Sequence, residues 1–171
     1  IEAAALYDPS GGYYERPGRV GRSGDFVTGA SWHPAFARCL LRIAARLAEE
    51  VDGPIDVVDV GAGEGELLGH LAAGRPEVPR LRLVGVERSE TRRAAATARV
   101  PRARLHADVS GLPERITGLV VAYELFDALP VRALRVGEDG ELLERRVGLD
   151  GDGAFAWVDA PCPDREGLLA A

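Results

Sequence analysis

No methionine and no lysine occur in the 171 residues, cysteine appears only twice, and aromatic residues make up 6%. With Ile1 at its head and no methionine anywhere, the chain reads as a stretch that begins part-way along a longer natural sequence. Cys39 and Cys162 lie far apart without CxxC spacing, and His33, His70 and His106 are equally dispersed. A zinc site needs three or four clustered ligands, so no metal is expected. Cys39 falls inside an apolar helical pattern, which predicts a small buried thiol and, with it, a reduced, intracellular, cytoplasmic protein. No apolar run approaches the roughly 18 residues that cross a bilayer, and no signal-peptide pattern opens the chain, so no membrane partner is expected. The 21 basic residues are all arginine, scattered through a chain of net charge −6. That balance argues against a nucleic-acid partner. The apolar and charged fractions, 46% and 28%, are those of an ordinary globular protein, and the length suits one compact domain.

From Tyr7 to Ser31 the chain is rich in Gly, Pro and Ser and has no sustained period, which predicts a loop. Pro34 then opens a helix whose Phe36, Leu40, Ile43, Ala44, Leu47 and Val51 form one apolar stripe, stopped by Gly53-Pro54. Ile55 to Val60 reads as a buried parallel strand, and a helix carrying Leu67, Leu68 and Leu71 follows the glycines behind it. Leu81–Val86 is a second strand, Ser89 caps a helix, Arg104–Asp108 is a short third strand and Gly118–Tyr123 a fourth. This alternation predicts βαβ units, hence a parallel sheet with helices on both faces. Beyond Pro130 the segments Val131–Val136, Leu142–Val147 and Ala154–Val158 are separated by short Gly- and Asp-rich turns, the pattern of an antiparallel β-meander. The organisation read from this is an N-terminal loop segment over the ligand site (1–33), an α/β core (34–130), and a meander leading into a truncated C-terminal part (131–171).

The segment Asp59-Val-Gly61-Ala62-Gly63-Glu-Gly65 carries the chemistry. A strand feeding a glycine-rich turn and then a helix places unpaired backbone N–H groups and a helix N-terminus beside a ligand. A dinucleotide fold sets its third glycine three residues after the second; here the interval is two, and an aspartate stands two residues before Gly61. This D-x-G-x-G-x-G form resembles the first motif of class I S-adenosylmethionine (SAM)-dependent methyltransferases, which implies a Rossmann-like fold and SAM as cofactor. Glu87 ends the second strand, where an acidic side chain accepts hydrogen bonds from both hydroxyls of a ribose. Asp108 ends the third strand, where the methyltransferase fold often grips the adenine amino group; turn formation is the competing reading.

Further segments narrow the resemblance. Tyr7-Asp-Pro-Ser-Gly-Gly-Tyr-Tyr14, Gly24-Asp25-Phe26-Val-Thr28 and Glu124-Leu-Phe-Asp127-Ala-Leu-Pro130 occur in this order around the glycine motif. Together they resemble the MidA-type methyltransferase family over roughly residues 6 to 160. The resemblance implies that Asp25, Phe26 and Thr28 lie over the cofactor. It also implies, from the family's mitochondrial member, methylation of an arginine side chain in a partner protein. Two departures stand out. Gly29-Ala30-Ser31 replaces the family's usual Ser-Pro-Glu, so no role for that glutamate carries over, and the family's chains run on beyond this one. Glu124 and Asp127 follow the fourth strand and border the expected methyl position, where paired carboxylates hold a guanidinium; an acidic pair stabilised by a helix dipole is the alternative. Tyr123 and Phe126 are candidates for a pocket wall or for core. Two other functional classes stay open: a scaffold that keeps the SAM fold to bind a partner, and a nicotinamide-dependent oxidoreductase, against which the glycine spacing weighs.

Overall fold

The computed structural model describes residues 2–16, 25, 29, 33–74, 78 and 80–163. Their contacts divide the chain into two compact units, one of residues 3–129 and one of residues 130–171 together with residues 1–2.

The first unit is built on four parallel strands. β1 (Ile55–Val60) lies between β2 (Leu81–Val86) and β4 (Gly118–Val121), and β3 (Arg104–His106) flanks β2, giving the order β3-β2-β1-β4. Ile55 pairs with Leu81 and Val60 with Val86, so β1 and β2 end level with each other. β1 is buried almost throughout, as its β-branched run requires of a central strand. Asp56 and Asp59 are its buried polar residues, and the Asp56 carboxylate takes a bidentate pair from Arg82 on the neighbouring strand at 2.6 Å. α1 is Glu2–Tyr7, α2 is Ala35–Glu50, α3 is Glu66–Ala73 and α4 is Glu90–Arg99.

Alternation along the strands sorts the core into two clusters. Ile55, Val57, Leu81 and Leu83 pack with Leu40, Leu41 and Ala44 of α2 and with Leu68 and Leu71 of α3. Truncating a fully buried leucine of this cluster removes about 2–5 kcal/mol. Val58, Val84 and Val86 form the other cluster, covered by Leu112 and Ile116. The second face therefore carries no helix among the described residues, contrary to the expectation of helices on both. The β3–β4 connection spans only residues 107–117, and it is occupied by the 3-10 turn Val109–Gly111 and then Pro113. The α2 stripe also departs from its expected phase. Ala37, Leu40, Leu41 and Ala44 are buried, while Ile43 is 47% exposed and Cys39 is exposed rather than buried. At about 100° per residue, Ile43 falls on the flank of the buried side and Cys39 nearly opposite it.

The second unit is a meander of β5 (Ala133–Val136), β6 (Leu142–Leu149) and β7 (Phe155–Pro161), antiparallel throughout. Its turns close as the Gly- and Asp-rich sequence demands. The Gly137 amide donates to the Glu141 carbonyl at 2.8 Å, and the Asp150 carboxylate accepts from the amides of Asp152 and Ala154.

Candidate functional site

The loop leaving β1 turns back on the end of β2. Gly61, Gly63 and Gly65 all take positive φ, +83°, +56° and +80°, a region that L side chains avoid. The amides of Gly61 and Ala62 both donate to the Val86 carbonyl at 2.9 and 3.0 Å, and the Gly63 amide donates to Glu87 Oε2 at 2.8 Å. The expectation of unpaired amides in this loop is thus corrected for residues 61–63. Because the two strands end level, the loop finds its acceptors on β2, and it offers a ligand room rather than donors. At Gly63 an added Cβ would project into open space, whereas at Gly65 it would meet Ala96 Cβ at 3.0 Å. Gly63 is a cradle; Gly65 is where α3 packs on α4.

Glu87 is fixed from two sides. Oε2 takes the Gly63 amide and Oε1 takes the Ser89 amide, each at 2.8 Å. Each carboxylate oxygen has capacity for a further donor, so the group can still receive hydroxyls from a ligand. Burial raises its pKa, opposed by those two amides and by the nearby Arg92 cation. Asp59, at the end of β1, is pushed up to about 7, chiefly by burial and further by the charges of Glu87 and Glu66.

A cavity of about 1100 Å³ opens at the carboxyl ends of the strands, the place where an open parallel sheet binds its ligands. It gathers Asp59, Gly61, Ala62 and Gly63 of the loop with Glu87 and Asp108 of the next two strand ends. Glu124 and Asp127 line it from the far side. Glu124 adopts φ +50°, a strained conformation for a non-glycine residue of the kind that clusters at functional sites. Asp127 lies in the 3-10 turn Phe126–Ala128. Asp108 caps the turn at residues 109–111 by accepting the Ser110 amide at 2.7 Å, and the bonds from Ser110 hold its carboxyl below the usual range. Tyr123 lines the cavity and packs on Phe36; Phe126 is 76% exposed and does neither. Asp25 accepts from the Tyr13 hydroxyl at 3.1 Å. Phe26 and Thr28 lie outside the described residues.

The tyrosines and arginines that roof this cavity were not singled out from the sequence. Tyr7, Tyr13 and Tyr14 line it from the N-terminal segment, Arg88 from the residues just before α4 and Arg92 from its first turn. The Tyr7 hydroxyl donates to the Ala128 carbonyl, and the Ser89 hydroxyl donates to Glu15 at 3.1 Å. The segment thereby reaches from the head of α4 to the turn after β4. The four-residue spacing of Arg88 and Arg92 was the available signal, but nothing local tied it to tyrosines about eighty residues earlier.

Among the described residues no group of His, Cys, Asp or Glu is placed to hold a metal ion, and no helix is long and apolar enough to cross a membrane. A crystal structure from Burkholderia thailandensis bound to S-adenosyl-homocysteine is 32% identical, with a TM-score of 0.74 over 99% of this chain and 47% of that one. A native crystal structure of a protein from the same organism is also 32% identical, with a TM-score of 0.70 over 99% of this chain and 44% of that one. The chain thus spans a little under half the length of these two. No curated protein matches it. Residues 35–169 match the family described as "Putative S-adenosyl-L-methionine-dependent methyltransferase", and the chain belongs to that family.

Proposed function

We propose that the protein binds SAM in the cavity between the glycine loop and Glu87 and transfers its methyl group to an arginine side chain of a partner protein. The fit to the cofactor rests on the donor set. Glu87 offers acceptors for a pair of ribose hydroxyls, Gly63 leaves open the space a Cβ would fill, and the carboxylates around the cavity suit a cationic ligand. The observation that carries the reading is the meeting of Glu87, Gly63, Glu124 and Asp127 in one cavity, although they come from three different strand ends.

The cofactor supplies an already activated methyl group, so the protein's task is alignment and the handling of charge and one proton. Glu124 and Asp127 are three residues apart on the connection after β4 and line the same cavity wall. Two carboxylates there hold a guanidinium by charge-assisted hydrogen bonds and orient one of its nitrogens. An arginine acceptor stays protonated in water, so its nitrogen becomes nucleophilic only as its proton passes to such a carboxylate. The sequence segments Tyr7–Tyr14, Gly24–Thr28 and Glu124–Pro130 support placing the protein with the MidA-type methyltransferases.

The test is binding followed by transfer. SAH raises the melting temperature and NAD does not, and labelled methyl groups pass from SAM into protein of a cell lysate. Glu124→Gln and Asp127→Asn keep SAH affinity but slow transfer about a hundredfold, a cost on the order of 3 kcal/mol for an orienting charge at the reacting centre. Stabilisation by NAD alone sinks the cofactor reading. Full transfer in both variants reduces these carboxylates to structural roles, and SAH binding without any transfer favours a scaffold.

A further inference from the structure

Arg92 is the third residue of α4 and only 5% exposed. A cation in a helix's first turn faces the positive end of the dipole, and a buried polar group left without a partner is costly. Its Nε and Nη2 nevertheless have no hydrogen-bond partner among the described residues. The guanidinium lies over the Tyr14 ring, 4.8 Å from its centroid. One turn earlier, Arg88 lies over Tyr7 at 4.6 Å, and the two tyrosine rings stack at 5.4 Å. Arginine, tyrosine, tyrosine and arginine therefore form one continuous stack, and all four line the cavity.

Arg92 lines the same cavity as Glu87, and its charge lowers the Glu87 pKa, yet no ion pair joins them. A bidentate bridge would occupy the carboxylate's remaining acceptor positions. Held back on Tyr14, the cation compensates the charge and leaves those positions free. We infer that Arg92 is a positioning residue of the cofactor site: from its seat on Tyr14 it keeps Glu87 an open, anionic acceptor for the vicinal hydroxyls of a ligand. Two of the other groups facing Glu87, the Gly63 and Ser89 amides that donate to it, act in the same direction as Arg92, and the rest work against it or are neutral. Glu15 of the 3-10 turn Tyr13–Glu15 and Asp59 of β1 are like charges, Tyr7 and Tyr14 present hydroxyls, and the Arg93 guanidinium donates to the Glu87 backbone carbonyl at 2.8 Å rather than to the carboxylate. The inference rests on the SAM-site reading but not on the identity of the methyl acceptor.

The measurement is SAH affinity by calorimetry across the whole pH range in which the protein stays folded, with circular dichroism and melting temperature at each pH. As pH falls, Glu87 takes up a proton and binding weakens. Arg92→Met moves that acid limb upward by about one pH unit, and within the shifted window SAH binds about tenfold more weakly. Arg92→Lys restores the limb, and Glu87→Gln binds weakly and shows no contribution from this group. In an Asp59→Asn background the Arg92-dependent shift persists, which separates the two titrations. Arg92→Gln keeps N–H donors but no charge; it carries the same expectation and decides the matter if Arg92→Met does not fold. A folded neutral variant with an unshifted limb overturns the role, whether affinity is unchanged or reduced equally at every pH. A wild-type protein that binds no SAH at any pH overturns the cofactor reading itself, and this inference with it.

Discussion

Asp59, the last residue but one of β1, has 4% of its surface exposed and its carboxyl pushed up to about 7 by burial and by Glu87 and Glu66. In the unfolded chain the same group titrates near its ordinary value of 3.8. The folded protein therefore holds this proton more tightly than the unfolded chain does. Its contribution to stability is full below about pH 4 and is lost as pH rises through about 7, where the buried charge becomes a standing cost. Asp59→Asn is accordingly more stable than the parent at pH 8, by on the order of 2–4 kcal/mol at about 1.4 kcal/mol per pKa unit. The difference closes toward pH 4. Urea unfolding at several pH values checks it, and parallel pH profiles for the two proteins would refute it. A residue that destabilises its own fold at neutral pH is common where function sets the environment. The aspartate was legible in the sequence from its place before Gly61, but its titration was not, because Glu66 and Glu87 come from other elements.

At the scale of elements, the turn between β1 and α3 uses similar backbone conformations for different ends. Gly63 and Gly65 both lie at positive φ, so alanine at either costs about 1–2 kcal/mol of backbone strain. Only Gly65 adds a packing penalty, since its Cβ would meet the Ala96 side chain and backbone at 3.0 and 3.1 Å. Overpacking of that kind adds about 1–3 kcal/mol. Gly65→Ala therefore lowers the melting temperature more than Gly63→Ala, while Gly63→Ala weakens SAH binding at least about tenfold by filling the cradle. Thermal unfolding and ligand titration of the pair check this; equal stability losses would remove the α3–α4 contact from the account. The D-x-G-x-G-x-G spacing was readable from the chain because a strand, a tight turn and a helix are local structures. The division of labour among its glycines was not, because Ala96 and Val86 sit on other elements. The α2 stripe missed its phase for a similar reason: periodicity marks an apolar side, and the partner decides which residues at its margin stay wet.

At the scale of the whole molecule, the two units differ in what they bury. Residues 3–129 enclose fully buried Leu41, Leu68, Leu71 and Leu81, whereas in residues 130–171 Phe155 is 79% and Trp157 64% exposed. Few buried apolar contacts mean low local stability. Amide hydrogen exchange should thus be slowest in β1 and β2 and markedly faster in β5, β6 and β7; equal protection in the two would contradict this. Alternating strands and helices, the meander with its turns, the glycine loop and the acidic residues at strand ends were all determined by the sequence by itself. Each follows from period, turn chemistry or β-branching within some ten residues. The tertiary structure alone decided that the loop amides turn onto Val86 and Glu87, that one sheet face has no helix among the described residues, and that a tyrosine–arginine stack roofs the cavity. Those features join residues up to about 120 positions apart, and no local pattern encodes which distant side chain fills a given space.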